Sequence, residues 1–352
     1  MTASQFIVWR TAIAAPPSPG HRPAWAPELR TGEEAVTWLR TERPNLHACV
    51  DYAASHARLT HAAAIPVAIS DFMHAQGHWS EALSLGRAAL AAARAAGDRQ
   101  GQAWALNQLG IAQELTGDYP AAAASQTEAL RLFRDIGNQR GQAWALNELG
   151  LVQWVTGDYP AAAASQTEAL RLFRDIGNQR GQAWALNHLG LVQQLTGDHP
   201  AAAASHTEAL QLFRDLGDRQ GQAWALNHLG VVQQLAGDHP AAAASLTQAL
   251  QLYRDLGDRH GQAEAAINLG ELRSLSSAHH NARGYYAQAL SIARDINAPD
   301  QEARDRRKEG RPGRFAPASR LVLPISGVHL TPPGQRPRCG RPRPGRTCVP
   351  SA

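Results

Sequence analysis

A 40-residue unit repeats in tandem through the middle of this chain, and no other feature restricts its fold as strongly. Residues 101–140 and 141–180 differ at only five positions: 108, 111, 112, 114 and 115. Residues 181–220 differ from 141–180 at ten positions, and 221–260 continue the pattern. Weaker copies flank this block around 60–100 and 261–297. A short period with helical content is the mark of a solenoid, in which each copy touches its neighbours and the stack presents one long surface. Such surfaces bind partners and rarely carry chemistry, so the repeat directs attention to recognition.

Each copy reads as two helices. Over 101–116 the apolar positions are Trp104, Leu106, Leu109, Ala112 and Leu115, and Gly110 permits close approach of another helix. Gly117 stops this helix. Asp118 and Pro120 suit the start of the next, an acid and a proline both being favourable there. The second helix covers about 120–136, with an alanine run at Ala121–Ala124 and a stripe of Ala129, Leu130, Leu132, Phe133 and Ile136. The same punctuation recurs at Gly157, Pro160 and Gly177, and again 40 and 80 residues later. Neither helix buries its stripe alone, so the array must fold as a unit. The expected fold is all-α: a right-handed α-solenoid of about six helix pairs over 60–298.

The flanks read differently. Residues 1–32 hold an apolar stretch (Phe6–Ala15) and a proline-rich irregular segment. Residues 33–59 form a helical linker carrying Ala35, Trp38, Leu39, Leu46, Val50 and Ala53, with Pro44 starting or kinking a helix. Residues 299–352 hold ten of the 21 prolines, have no periodicity and read as a disordered tail. From Asp300 onward the tail has 11 Arg and one Lys against four acids, a net charge of +8. The rest of the chain is therefore −4 within a total of +4, and the basic character belongs to the tail.

Composition removes several functions. Lys308 is the only lysine, which excludes a phosphate-gripping Gly-Lys-Ser/Thr loop and lysine Schiff-base chemistry. Cys49, Cys339 and Cys348 are too scattered for a disulfide framework and fit a reducing compartment. No apolar run approaches the ~18 residues of a membrane span, and the N-terminus is a poor signal peptide, so the expectation is a cytoplasmic chain. No nucleophile elbow or His-Glu-x-x-His run marks an active site, so no catalytic residue, enzyme activity or cofactor is assigned. The 15 histidines include equivalent pairs, His188 with His228 and His199 with His239. Two helix spacings of about 8–10 Å would keep each pair about 16–20 Å apart. Zinc needs ligands within about 2.1 Å, so no metal site is assigned.

The helix pairs resemble tetratricopeptide (TPR) repeats. Gly110 falls on that family's small position, Leu106 and Leu109 on its large apolar positions, and Ala122 and Ala129 on its two small positions in the second helix. The period of 40 resembles the longer TPR subclass, and Trp104 stands two residues before the family's usual tryptophan. A second resemblance covers 34–53, EAVTWLRTERPNLHACVDYA. Through Ala35, Trp38, Leu39, Glu42, Arg43, Asn45 and Leu46 it is similar to the segment joining the ATPase and TPR parts of actinobacterial STAND regulators, relatives of antibiotic-regulatory transcription factors. Neither the nucleotide-binding nor the DNA-binding domain of that family is seen in this sequence.

The TPR resemblance implies that the first helix of each pair lines a concave groove. The groove-facing positions are then Trp104, Asn107, Gln108, Ile111, Glu114 and Leu115. Trp144, Asn147, Glu148, Leu151 and Trp154 follow in the second copy, Trp184, Asn187 and His188 in the third, and Trp224, Asn227 and His228 in the fourth. A spacing of three puts each Trp and Asn on one helical face. An asparagine amide both donates and accepts, so a ladder of them can pair with the backbone of an extended peptide. The same residues also suit bonds between neighbouring helices, with the tryptophans filling the core. The expected partner is a protein or extended peptide in the groove. The alternatives are nucleic acid on the arginine-rich tail, or a chain that is one part of a STAND regulator.

Overall fold

The computed structural model describes residues 31–275 and 282–292, together with Pro27, Leu29 and Arg294. The expectations for Phe6–Ala15 and for the 299–352 tail lie outside the described residues. So do Cys339 and Cys348.

The described residues form helices and no strand. In order they are α1 Gly32–Ser55, α2 Leu59–Ala75, α3 Trp79–Ala95, α4 Arg99–Leu115, α5 Tyr119–Asp135 and α6 Gln139–Val155. Then come α7 Tyr159–Asp175, α8 Gln179–Leu195, α9 His199–Asp215, α10 Arg219–Leu235, α11 His239–Leu256 and α12 Arg259–Leu275. A helical stretch over 282–292 follows. Counted from α2, this gives six helix pairs, the last being α12 with that stretch. Pro44 lies inside α1 rather than at its start.

Local chemistry sets a 20-residue beat. Helices α2 to α10 are each 17 residues long. Each link from α4 onward ends on a capping residue. Asp118 accepts from the Ala121 N–H and Asn138 from the Gly141 N–H, and the pattern repeats through Asp258 and Gly261. The residue before each cap is a glycine at positive φ, such as Gly117 at +83°. There Gly117 donates to the Glu114 carbonyl and Asp118 to the Gln113 carbonyl, which closes the end of α4.

The main core cluster runs from α3 to α12, and two smaller clusters lie at the α1–α3 end. The positions that match the TPR pattern are buried: Leu106, Leu109, Ala122 and Ala129. A Cβ on Gly110 would come within 2.6 Å of the Gln126 amide, so a larger residue there must displace that buried side chain. Between copies, the wedge is an aromatic ring. Phe133, Phe173, Phe213 and Tyr253 are buried, and each lies over the glycine that opens the next first helix: Gly141, Gly181, Gly221 and Gly261. Burying one such ring contributes about 1.5–3 kcal/mol, and it ties two copies together.

Candidate functional site

Every first helix packs on the first helix of the next copy, along the row α2, α4, α6, α8, α10 and α12. No comparable packing joins α5 to α7, α7 to α9 or α9 to α11. The first helices therefore form the crowded inner layer of the stack, and the residues implicated from sequence belong to it.

The asparagine row is sealed within that layer. Asn107, Asn187 and Asn227 are 0 % exposed and Asn147 is 1 % exposed. Asn147 Nδ2 donates to Glu148 Oε1 at 3.1 Å, and its Oδ1 lies 3.1 Å from His188 Nδ1 in the next copy. Asn187 Oδ1 lies 3.1 Å from Nδ1 of His206. Asn227 donates to Glu264 and accepts from Asn268, both on α12. Asn107 has neither amide atom bonded within the protein.

The other expected groove residues divide. Gln108, Glu148 and His188 are buried beside the asparagines, and His228 is half-buried in the same row. Ile111 and Leu151 are buried. Trp144 and Trp184 are buried, while Trp104 and Trp224 are half-buried. Three of the tryptophans turn to the second helix of their own copy. Trp104, Trp144 and Trp184 meet Phe133, Phe173 and Phe213 edge to face, with centroids 4.7, 4.9 and 5.2 Å apart. Glu114 and Trp154 are half-buried near the ends of α4 and α6. The structure thus brings the asparagines and the residues after them into one row, sets Trp104, Trp144 and Trp184 against the aromatic wedges, and places Trp224 against Trp184 and His228.

The spacing argument applied to the histidines is corrected here. Successive first helices touch, so His188 and His228 are one helix apart rather than two, as the His188–Asn147 contact shows for this layer, whereas His199 and His239 lie on α9 and α11, which do not pack on each other. A third ring also enters from a second helix: His206 stacks on His228 with centroids 5.5 Å apart. No three metal-binding side chains converge among the described residues.

His206 joins this row without having been singled out from sequence, and Glu264, which stands at the tryptophan position of the last copy as expected of a capping unit, bonds to it through Asn227. The signal for His206 is a paired change: positions 126 and 166 are Gln, and 206 becomes His in the copy where 188 also becomes His. In the earlier copies Gln126 and Gln166 donate to the backbone carbonyls of Asn107 and Asn147. Burial, with His228 and His188 nearby, holds His206 well below the usual histidine range. Burial alone lowers His228 to about 4. Water lost around its hydrogen-bonded carboxyl, with Asp258 nearby, pushes Glu264 up against the opposing Asn227 amide, although the residue as a whole is exposed.

A tetratricopeptide repeat model matches residues 61–135, 141–215, 181–255 and 221–295. The chain belongs to the tetratricopeptide repeat family. Among curated proteins no sequence matches it. Several solved structures share its fold at low identity. The apo form of RapI aligns with a TM-score of 0.58 at 12 % identity, over 75 % of this chain and 96 % of that one. The anaphase-promoting complex hetero-tetramer Cut9–Hcn1 aligns with a TM-score of 0.57 at 18 % identity, over 74 % of this chain and 45 % of that one. The Rap conjugation gene regulator of plasmid pLS20, in complex with the Phr* peptide, aligns with a TM-score of 0.53 at 15 % identity, over 70 % and 77 %. At these identities the likeness is one of fold. Among the described residues of this TPR protein, no helix is long and apolar enough to cross a membrane.

Proposed function

We propose that this TPR stack is a non-catalytic cytoplasmic scaffold that holds an extended peptide or protein segment along its first helices, within a regulatory pathway. Asn107 carries the reading. It is fully buried on the inner layer, and both its amide atoms lack a partner within the protein. The Nδ2 of Asn187 and the indole N–H groups of Trp144 and Trp184 are unpartnered in the same layer. Each buried unpaired group costs about 1–3 kcal/mol. A peptide backbone brings one donor and one acceptor per residue, which is what Asn107 lacks and Asn187 lacks in part. To admit it, neighbouring first helices must part. A solenoid allows this by small rotations shared among copies, because each copy contacts only its neighbours. The peptide complex of the pLS20 Rap regulator supports the reading by fold, and the resemblance of 34–53 to STAND regulators supports the regulatory setting.

A random peptide display library panned on the full chain tests this. Enriched peptides should bind about tenfold more weakly to an Asn107→Ala variant, a loss of about 1.4 kcal/mol, while its melting temperature stays within a few degrees. A library that yields no binder, or binders indifferent to Asn107→Ala, would overturn the reading.

A further inference from the structure

The first helices end on a large apolar residue at one fixed position per copy: Leu115, Val155, Leu195, Leu235 and Leu275. Leu115 and Val155 are half-buried, whereas Leu195, Leu235 and Leu275 expose 44, 52 and 62 % of their surface. Exposure climbs toward the C-terminal end of the stack. Because successive first helices touch, these three leucines stand in line at steps of about 8–10 Å. Single exposed leucines are ordinary, but an aligned set at a repeat-fixed position is a patch. Three residues beyond Leu195 and Leu235 stand the exposed Asp198 and Asp238. Each uses Oδ1 to cap a second helix, which leaves Oδ2 for a cation.

A ligand for this edge must be apolar and cationic. The chain itself holds such a segment at 311–325, RPGRFAPASRLVLPI, with Phe315, Leu321, Val322, Leu323 and Ile325 among three arginines and no acid. The helical stretch 282–292 packs antiparallel on α12, Tyr286 lying against Gly270, so the chain leaves the C-terminal end of the stack at Arg294, about 18 Å back along that helix from the Leu275 edge. Residue 311 follows Arg294 by 17 positions, and a chain of that length reaches at most about 55–60 Å. That reach covers both the return to the Leu275 edge and the about 16–20 Å from Leu275 to Leu195.

We propose that residues 311–325 dock along Leu195, Leu235 and Leu275 of their own chain, with Arg311, Arg314 and Arg320 facing Asp198 and Asp238. The contact lies at the turn edge and does not depend on peptide binding by the asparagine row. Hydrogen exchange on the full chain tests it. Amides of 311–325 should exchange at least about tenfold more slowly than in the free synthetic segment, independently of protein concentration. The Leu195→Gln, Leu235→Gln, Leu275→Gln triple variant changes only exposed side chains, so its melting temperature should hold while this protection is lost. Asp198→Asn with Asp238→Asn keeps both caps, since asparagine caps as well as aspartate, and should weaken the protection. Exchange at the free-segment rate, or equal protection in the triple variant, would overturn docking. Protection that grows with concentration would overturn the intramolecular arrangement in favour of a second copy.

Discussion

Four asparagines at one repeat position have four different surroundings, and substitutions should separate them. Asn147→Ala strips a partner from both Glu148 and His188 and should destabilise the fold by about 1–3 kcal/mol. Asn107→Ala relieves the burial of two unpaired amide atoms and leaves a small void, opposing effects that should make it less destabilising than Asn147→Ala; thermal melts of the two variants make the comparison. The histidines add a pH dependence. His206 and His228 stay neutral in the fold, with pKa values depressed below that of the unfolded chain. Between about pH 6.5 and 4 the unfolded chain binds protons that the fold refuses, so stability falls as pH falls. The shift of His228 alone, from 6.5 to about 4, corresponds to a loss of about 3 kcal/mol at most. His206→Gln restores the residue of the two preceding copies and should flatten the fall in stability measured by denaturant titration across that window. The shared helical face of the Asn and Trp sets is legible in their spacing of three. Their burial is not, because it depends on side chains 19 to 41 residues away, such as His206 against Asn187 and His188 against Asn147.

Helix boundaries are far more legible, because their chemistry is local. Gly117, Asp118 and Pro120 end one helix and start the next from within a few residues, and the expected limits of 101–116 and 120–136 fall within two residues of α4 and α5. The glycines that open the first helices carry a different message. In isolation Gly181 looks like a weak helix position, and alanine should improve it by up to about 1 kcal/mol. In the stack its missing Cβ is the seat of the Phe173 ring. Gly181→Ala should therefore destabilise by about 1–3 kcal/mol through overpacking. The matching change at Gly177, where nothing lies near an added Cβ but φ is +66°, should act through backbone strain alone. Chemical denaturation of the two variants, with Phe173→Val tested for partial rescue of the first, checks the assignment.

At the scale of the molecule, stability is a sum of nearly identical interfaces between neighbours. Deleting residues 141–180 joins α5 to α8. The new seam repeats the old one, since Phe133 meets Gly181 in place of Gly141 and the caps are Asn178 and Asn138 alike. The shortened chain should unfold in one transition, with unchanged helicity per residue and a lower denaturant slope in proportion to the lost surface. Deleting 151–190 should behave the same way, whereas removing 20 residues, such as 141–160, should fail to fold, because it sets second-helix chemistry where a first helix belongs. Circular dichroism of the three deletions distinguishes these outcomes. The regular beat of the helices also bears on length. Gain or loss of one 40-residue unit keeps first and second helices in alternation and seats an aromatic ring on a glycine at the new seam. Copy number would then act as a length setting for the stack, adjustable in steps of one repeat.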